Sequence, residues 1–419
     1  MNFKFKKAIL LGIIVSLSLL LNLAPVHAEG DLQVVDSSAQ ANFPLTISFS
    51  ITTESTVDIT DIRLHYKVIR HGFADVTAEV CLQFLSALEV EAGWDWDMRR
   101  TGGLPPGTSV QYWWTVKDAS GDQVETSPVT IPFDDERFSW QNLTQDTVTL
   151  FWYYGEQSFA DELMLTIKDA LDWLEADVGV TLQEPIEIYI YANSLDLQGS
   201  MIFPQEWTGG VAFPAYDCIA IGISPSNLEW GKGALAHELT HLVVHQMTLN
   251  PYGGLPTWLD EGLAVRSEGS LSYYYTTTLN QAIANNSLVS AQSISSPFSA
   301  LTDLAILSYA ESYSVVDYLI TTYGKDKMLE LLETFGAGAS YNGALTEVYG
   351  FDIDGLDRLW CEYLSVPVEP EETEEQILVV VNEVSRMHPL LVVILAGLAT
   401  MILLLISLAA ESWTWRRAL

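Results

Sequence analysis

Cysteine is scarce, with three residues in 419, at positions 81, 218 and 361. Thiols so few and so far apart cannot supply a disulfide framework, none has metal-site spacing, and they read mostly as buried side chains. Positive charge is short as well: 19 Lys and Arg stand against 54 Asp and Glu, a formal net charge of −35. That balance argues against nucleic acid and anionic membrane surfaces as partners. It leaves a generic solvated acidic surface, or less directly a preference for basic substrates. No internal repeat is present.

What is there begins with the two ends. Lys4, Lys6 and Lys7 precede an apolar run from Ala8 to Ala24 and the segment Val26-His27-Ala28, which reads as a secretory signal over residues 1–28. Near the other end, residues 390–410 form 21 positions without a charge, enough to cross the hydrocarbon core of a bilayer. Trp413, Trp415, Arg416 and Arg417 follow, and favour a cytoplasmic tail over residues 411–419, against which Arg386 on the other flank counts weakly. The expected arrangement is a single-pass protein of the cell membrane whose bulk is extracytoplasmic, with the lipid bilayer as a partner through that helix. Between them, residues 366–389 include VPVEPEETEEQ, an extended Pro/Glu linker.

The intervening stretch is long enough for two domains. Residues 29–140 alternate with period two in PLTISFSITT and SVQYWWTVKD, punctuated by Gly, Asp and Pro. This pattern predicts an all-β sandwich of immunoglobulin or fibronectin type. Its tryptophans, Trp94 with Trp96 and Trp113 with Trp114, read as core and rim, the alternative being a carbohydrate platform. Residues 141–365 carry a strand at DTVTLFWYYG, a helix at SFADELMLTIKDALDWLEADVG, strands at IEIYIY and CIAIGI, and closing helices at KDKMLELLETFG and FDIDGLDRLWCEYL. That mixture predicts an α+β domain.

Histidine is the third scarce residue, seven in all, yet three fall at 237, 241 and 245. On a helix His237 and His241 lie about 40° apart and about 6 Å apart along the axis, so one metal ion can reach both. Glu238 then sits beside that ion without ligating it, the arrangement of two His ligands and a general base in zinc hydrolases. Chance alone yields HExxH in roughly one such chain in a hundred. Downstream, TWLDEGLAVR opens a second helix near Thr257 and sets Glu261 20 positions after His241, a third ligand that leaves a fourth position open for water. His245 cannot join its two helix-mates around one ion, because three such positions span about 12 Å. Asp260 points about 100° from Glu261. Both read as structural groups or as partners behind the ligands. Met247 stands where the longer HExxHxxGxxH pattern needs its third His, so that pattern is excluded.

HELTH followed by WLDEGLA resembles the gluzincin metallopeptidases, the clan of thermolysin and the M1 aminopeptidases, and within it the peptidase MA-like branch. The resemblance covers about residues 150–365. It implies zinc on His237, His241 and Glu261, with Glu238 as the base. It further implies that a tyrosine of the stretch SYAESYSVVDYLITTYG faces the metal, with Tyr309 in the M1 position and Tyr313 one turn on. Such a tyrosine could donate to the developing oxyanion. In gluzincins an edge strand before the ligand helix pairs with the substrate, and WTGGVAF at 207–213 is the matching region; a plain glycine hairpin is the other reading. The glutamate with which M1 enzymes grip a free amino terminus has no counterpart here.

The ligand set predicts hydrolysis: zinc lowers the pKa of a coordinated water toward about 7 and polarises a carbonyl, and Glu238 moves the proton to the leaving amine. The expected activity is a membrane-anchored zinc metallopeptidase acting on a peptide or protein. The alternatives are a zinc-containing binding or sensory ectodomain without turnover, and a zinc hydrolase of a non-peptide amide.

Overall fold

The computed structural model describes residues 31–364 apart from 71–73, 205–207 and 300. The expected signal, linker, membrane helix and tail lie outside the described residues, and among those described no helix is long and apolar enough to cross a membrane.

Strands β1 (Gln33–Asn42), β2 (Thr46–Glu54), β3 (Ile59–Val68), β4 (Ala78–Cys81), β5 (Glu89–Asp97), β6 (Thr108–Asp118), β7 (Gln123–Glu125) and β8 (Val129–Phe133) make two antiparallel sheets. One has the order β1-β2-β5; the other is β4-β3-β6-β7 with β8 also paired to β6. Alternation aims one set of side chains inward. In β2, Ile47, Phe49 and Ile51 are buried between exposed Ser48 and Ser50. In β3 the inward set changes from Ile59 to Ile62 and Leu64, because an irregularity between Ile59 and Asp61 shifts the register. With Val110, Tyr112 and Trp114 of β6 these residues fill one core between the sheets. Trp96 and Trp114 are buried in it, whereas Trp113 stacks on His65 with ring centroids 5.4 Å apart.

A third sheet follows, of β9 (Gln141–Gln145), β10 (Val148–Trp152), β11 (Ile186–Tyr191), β12 (Gly210–Phe213) and β13 (Cys218–Gly222), in the order β12-β13-β11-β10-β9. Its centre, β10-β11-β13, is parallel, and both edge strands run antiparallel to their neighbours. The parallel pairing follows from the crossover helix α1 (Gln157–Trp173) between β10 and β11. Such a sheet must be covered on both faces. In β11, Ile186, Ile188 and Ile190 face the helices. Tyr189 and Tyr191 face an aromatic layer with Phe138, Trp140 and Tyr153. The sandwich is tied on here: buried Asp135 accepts from Tyr191 Oη at 2.9 Å and pairs with Arg137.

The helical part comprises the short α2 (Ser194–Gln198), then α3 (Leu228–Thr248), α4 (Thr257–Ser267), α5 (Tyr273–Asn285), α6 (Thr302–Tyr323), α7 (Lys325–Gly336), α8 (Tyr341–Tyr349) and α9 (Ile353–Tyr363). A capping box between Ser224 and Asn227 leads into α3. That helix buries Leu235, Leu239, Leu242, Val243 and Val244, more than one stripe, so it runs through the middle of the core. Helix α4 packs between α3 and α6. A Cβ on Gly262 would come within 2.4 Å of the Ser312 carbonyl oxygen and 2.6 Å of Val316 Cγ2, so only glycine lets α4 and α6 approach this closely.

Sequence periodicity missed β9, α2, α5 and α8. Helix α5 begins YYYTTT, residues that favour strands; it forms because Ser272 accepts from the Tyr275 N–H as its N-cap and Leu279 and Ala282 are buried. The three thiols are free and, against the expectation that most are buried, only Cys218 is; Cys81 is exposed because strand alternation turns it outward with Glu79 while Val80 packs on the core.

Candidate metal centre

The helical repeat brings His237 and His241 together on one face of α3, with ring centroids 4.8 Å apart. From α4, Glu261 carries its Oε2 to 3.4 Å from His237 Nε2 and 3.6 Å from His241 Nε2. These separations are too long for good hydrogen bonds, and this buried oxygen is without a partner. They suit a central ion instead: ligand atoms each about 2.1 Å from a tetrahedral zinc stand about 3.4 Å from one another. Two imidazole nitrogens and a bare carboxylate oxygen, all within 4.8 Å, thus fit a divalent cation.

The far side of each imidazole is held. His237 Nδ1 lies 2.8 Å from Glu268 Oε1, and His241 Nδ1 lies 2.8 Å from Asp260 Oδ1. With Nδ1 bonded to a carboxylate, Nε2 is left to face Glu261. Asp260 reaches a second ring through Oδ2, 3.0 Å from His245 Nε2. His241, His245 and Asp260 therefore also cluster closely enough to be considered for a metal, but their atoms already contact one another at hydrogen-bond distance. His245 contacts Asp260, which in turn contacts His241.

Burial and charge compete here. Burial resists charge on His237, yet Glu261 and Glu268 outweigh it and raise its pKa to about 9. His241 is likewise opposed by burial and raised well above the usual imidazole range by Asp260 and Glu261. Burial pushes the Glu261 carboxyl up, but His237 and His241 bring it down to about 2. Asp260 is pushed up by burial and drawn well below the carboxylate range by His241 and His245. Carboxylates that draw protons to both imidazoles favour a divalent cation in their place. Glu238 differs: burial raises its pKa, and the two imidazoles only temper the rise.

Glu238 opens into a cleft of about 540 Å³, lined also by Gly209, Gly210, Trp230, Glu268, Tyr275 and Tyr309. Strand β12 forms one side at the edge of its sheet, with the Ala212 backbone N–H interacting with the Glu238 carboxylate. Gly210–Phe213 is a glycine-containing antiparallel neighbour of β13 at the sheet edge, a geometry compatible with either reading of this region. Tyr309 lines the cleft, whereas Tyr313, one turn on in α6, is not among its lining residues and instead feels Asp317 and Arg266. Burial raises the Tyr309 pKa further above the phenol range, Glu261 adding to it, so the hydroxyl stays protonated. Tyr275 is pushed up to about 12 by burial and by Glu268 and Glu261, and its ring centroid lies 6.3 Å from that of Tyr309.

Three of these residues, Trp230, Glu268 and Tyr275, escaped sequence reasoning. Glu268 could have been found, since it follows Glu261 by seven residues, two helical turns on the same face. For Tyr275 the only local hint was Ser272 as a cap.

Residues 166–366 match the model of the Peptidase MA superfamily. No curated protein matches the chain in sequence. Among solved structures, OgpA from Akkermansia muciniphila is 12% identical with a TM-score of 0.20, over 25% of this chain and 28% of that one. This chain thus spans well under two thirds of that protein. The M1 zinc metallopeptidase from Deinococcus radiodurans is 12% identical with a TM-score of 0.29, over 81% and 95% of the two chains. An aminopeptidase N family protein from Idiomarina loihiensis is 11% identical with a TM-score of 0.38, over 79% and 76%. None of these scores is high enough to define a shared fold, and the likeness to the superfamily rests on the sequence match over residues 166–366.

Proposed function

We propose, on the match of residues 166–366 to the Peptidase MA superfamily, that this chain is a zinc metallopeptidase that hydrolyses peptide bonds. The observation that carries the reading is the convergence of His237 Nε2, His241 Nε2 and the unpartnered Glu261 Oε2, with Glu238 beside them in an open cleft. A purely structural zinc would more often have a fourth protein ligand, and would need no buried carboxylate next to it.

His237, His241 and Glu261 would hold the ion, which when bound supplies a Lewis acid for a substrate carbonyl and an acidified water. Glu238 takes that water's proton on its carboxylate; burial, by raising its affinity for the proton, suits it to hold the proton and release it to the leaving amine. The Tyr309 hydroxyl, kept protonated, donates to the carbonyl oxygen as negative charge develops there. Glu268 and Asp260 keep the two imidazoles turned toward Glu261. The edge strand β12 offers backbone groups to an extended peptide.

The chain acts on the extracytoplasmic side of a membrane, with residues 390–410 as its anchor; the lysine-led apolar start and the uncharged run near the end support that reading. The test is zinc stoichiometry together with cleavage of a mixed-peptide library by wild type and Glu238→Gln. One zinc per chain in both, with cleavage lost in the variant, is the expected result. One zinc with no cleavage by wild type would refute the peptidase and leave the binding role or a non-peptide amide.

A further inference from the structure

One wall of the cleft takes no part in that chemistry. Trp230 lies on α3 seven residues before His237, about two turns along the same helix. It is 55% exposed, the one tryptophan exposed among the described residues. An exposed apolar ring needs no explanation by itself. Its position does, because the ring lines the same cleft as Glu238 and lies beside Gly209, the residue that leads into the edge strand, where an added Cβ would meet it at 3.3 Å.

The floor between this ring and the base is made of two glycines. A Cβ on Gly210 would meet Glu238 Oε1 at 2.9 Å, and neither Gly209 nor Gly210 has the left-handed backbone that demands glycine. They contribute room, not conformation. A peptide backbone can lie against this floor and still turn a large side chain toward the indole. Among the described residues no Lys or Arg lines the cleft, while Glu238 and Glu268 do, so an acidic side chain meets repulsion. Glu268 is already engaged by His237, which weakens it as an anchor for a cationic one.

We propose, resting on the peptidase reading, that Trp230 above the Gly209–Gly210 floor is the specificity-determining residue. It receives a bulky uncharged side chain, aromatic or branched aliphatic, next to the scissile bond. Apolar recognition of this kind discriminates by about tenfold or more.

The test uses the full chain and one extended peptide sequence carrying Phe, Leu, Ala, Lys or Asp at the varied position. Wild type should cleave the Phe and Leu peptides at least about tenfold more efficiently than the Ala and Asp peptides. Trp230→Ala should lower the ratio of kcat/KM for Phe over Ala about tenfold without changing zinc content, and Trp230→Phe should restore most of that ratio. An unchanged ratio in Trp230→Ala, or a wild-type preference for Lys or Asp, would overturn the proposal. The same peptides titrated onto Glu238→Gln, where cleavage is not expected, give a second readout. A Phe-over-Ala affinity difference that vanishes on adding Trp230→Ala supports the subsite even if hydrolysis itself is refuted, and its absence counts against the subsite alone.

Discussion

Glu311 on α6, two residues beyond Tyr309, is 0% exposed. One carboxylate oxygen accepts the Val289 N–H at 2.9 Å, and the other is buried without a partner. Burial pushes its pKa from 4.5 up to about 8, the Val289 N–H pulling back and Asp357 adding to the rise. The unfolded chain, with the ordinary value, loses this proton at lower pH than the folded chain does. Between pH 4.5 and about 8 the folded state therefore binds more protons, and stability falls as pH rises. The contribution is fully present below the lower value and lost above the upper one. At 1.36 kcal/mol per unit the loss amounts to at most roughly 5 kcal/mol. Glu311→Gln keeps an acceptor for Val289 and cannot ionise, so it should gain on wild type by about 1.4 kcal/mol per pH unit across that window. Denaturant unfolding of both proteins from pH 5 to pH 9 measures this. Parallel stability profiles would refute the reasoning. Val289 belongs to the connection between α5 and α6, in which Phe298 packs edge-on against Tyr309 with centroids 5.0 Å apart. Ionisation of Glu311 should therefore loosen the segment that supports the cleft.

Other perturbations address the centre directly. Glu261→Ala should bring zinc occupancy close to zero while Glu238→Gln retains it; equal metal content in Glu261→Ala and wild type would remove Glu261 from the ligand set. Gly210→Ala, which pushes a methyl to 2.9 Å from Glu238 Oε1, should lower kcat by about a hundredfold with zinc retained. Tyr309→Phe should reduce kcat with little change in KM if its hydrogen bond forms mainly in the transition state; an unaltered kcat would leave Tyr309 as packing. Gly262→Ala meets a backbone carbonyl at 2.4 Å and should cost about 1–3 kcal/mol in unfolding experiments, since α4 must move away from α6.

Local rules reach some of this molecule and stop at a definable point. The spacing of His237, Glu238 and His241 needs only the helical repeat, so it was readable before any fold was known. Glu261 was readable because its helix has a sharp start and its own sequence block. The strand Ile186–Tyr191 announced itself through β-branched and aromatic residues, and the sandwich through alternation.

Choices between chemically equivalent residues were not local. Tyr309 and Tyr313 share one helix at near-equal helical phase, and the packing of α6 against α4 and α5 puts Tyr309 in the cleft and Tyr313 near Arg266. Asp260 points away from Glu261 along α4, yet the crossing of α4 over α3 lets it reach both His241 and His245. Whether Gly210–Phe213 stands at a sheet edge depends on the order of strands distant in sequence. The amino-acid sequence by itself thus determined which side chains could form a metal centre, because ligand spacing and helical period are properties of neighbours along the chain. Only the tertiary structure decided what surrounds it, among them Tyr275, Trp230 and the glycine floor, because those positions are set by how separate elements pack.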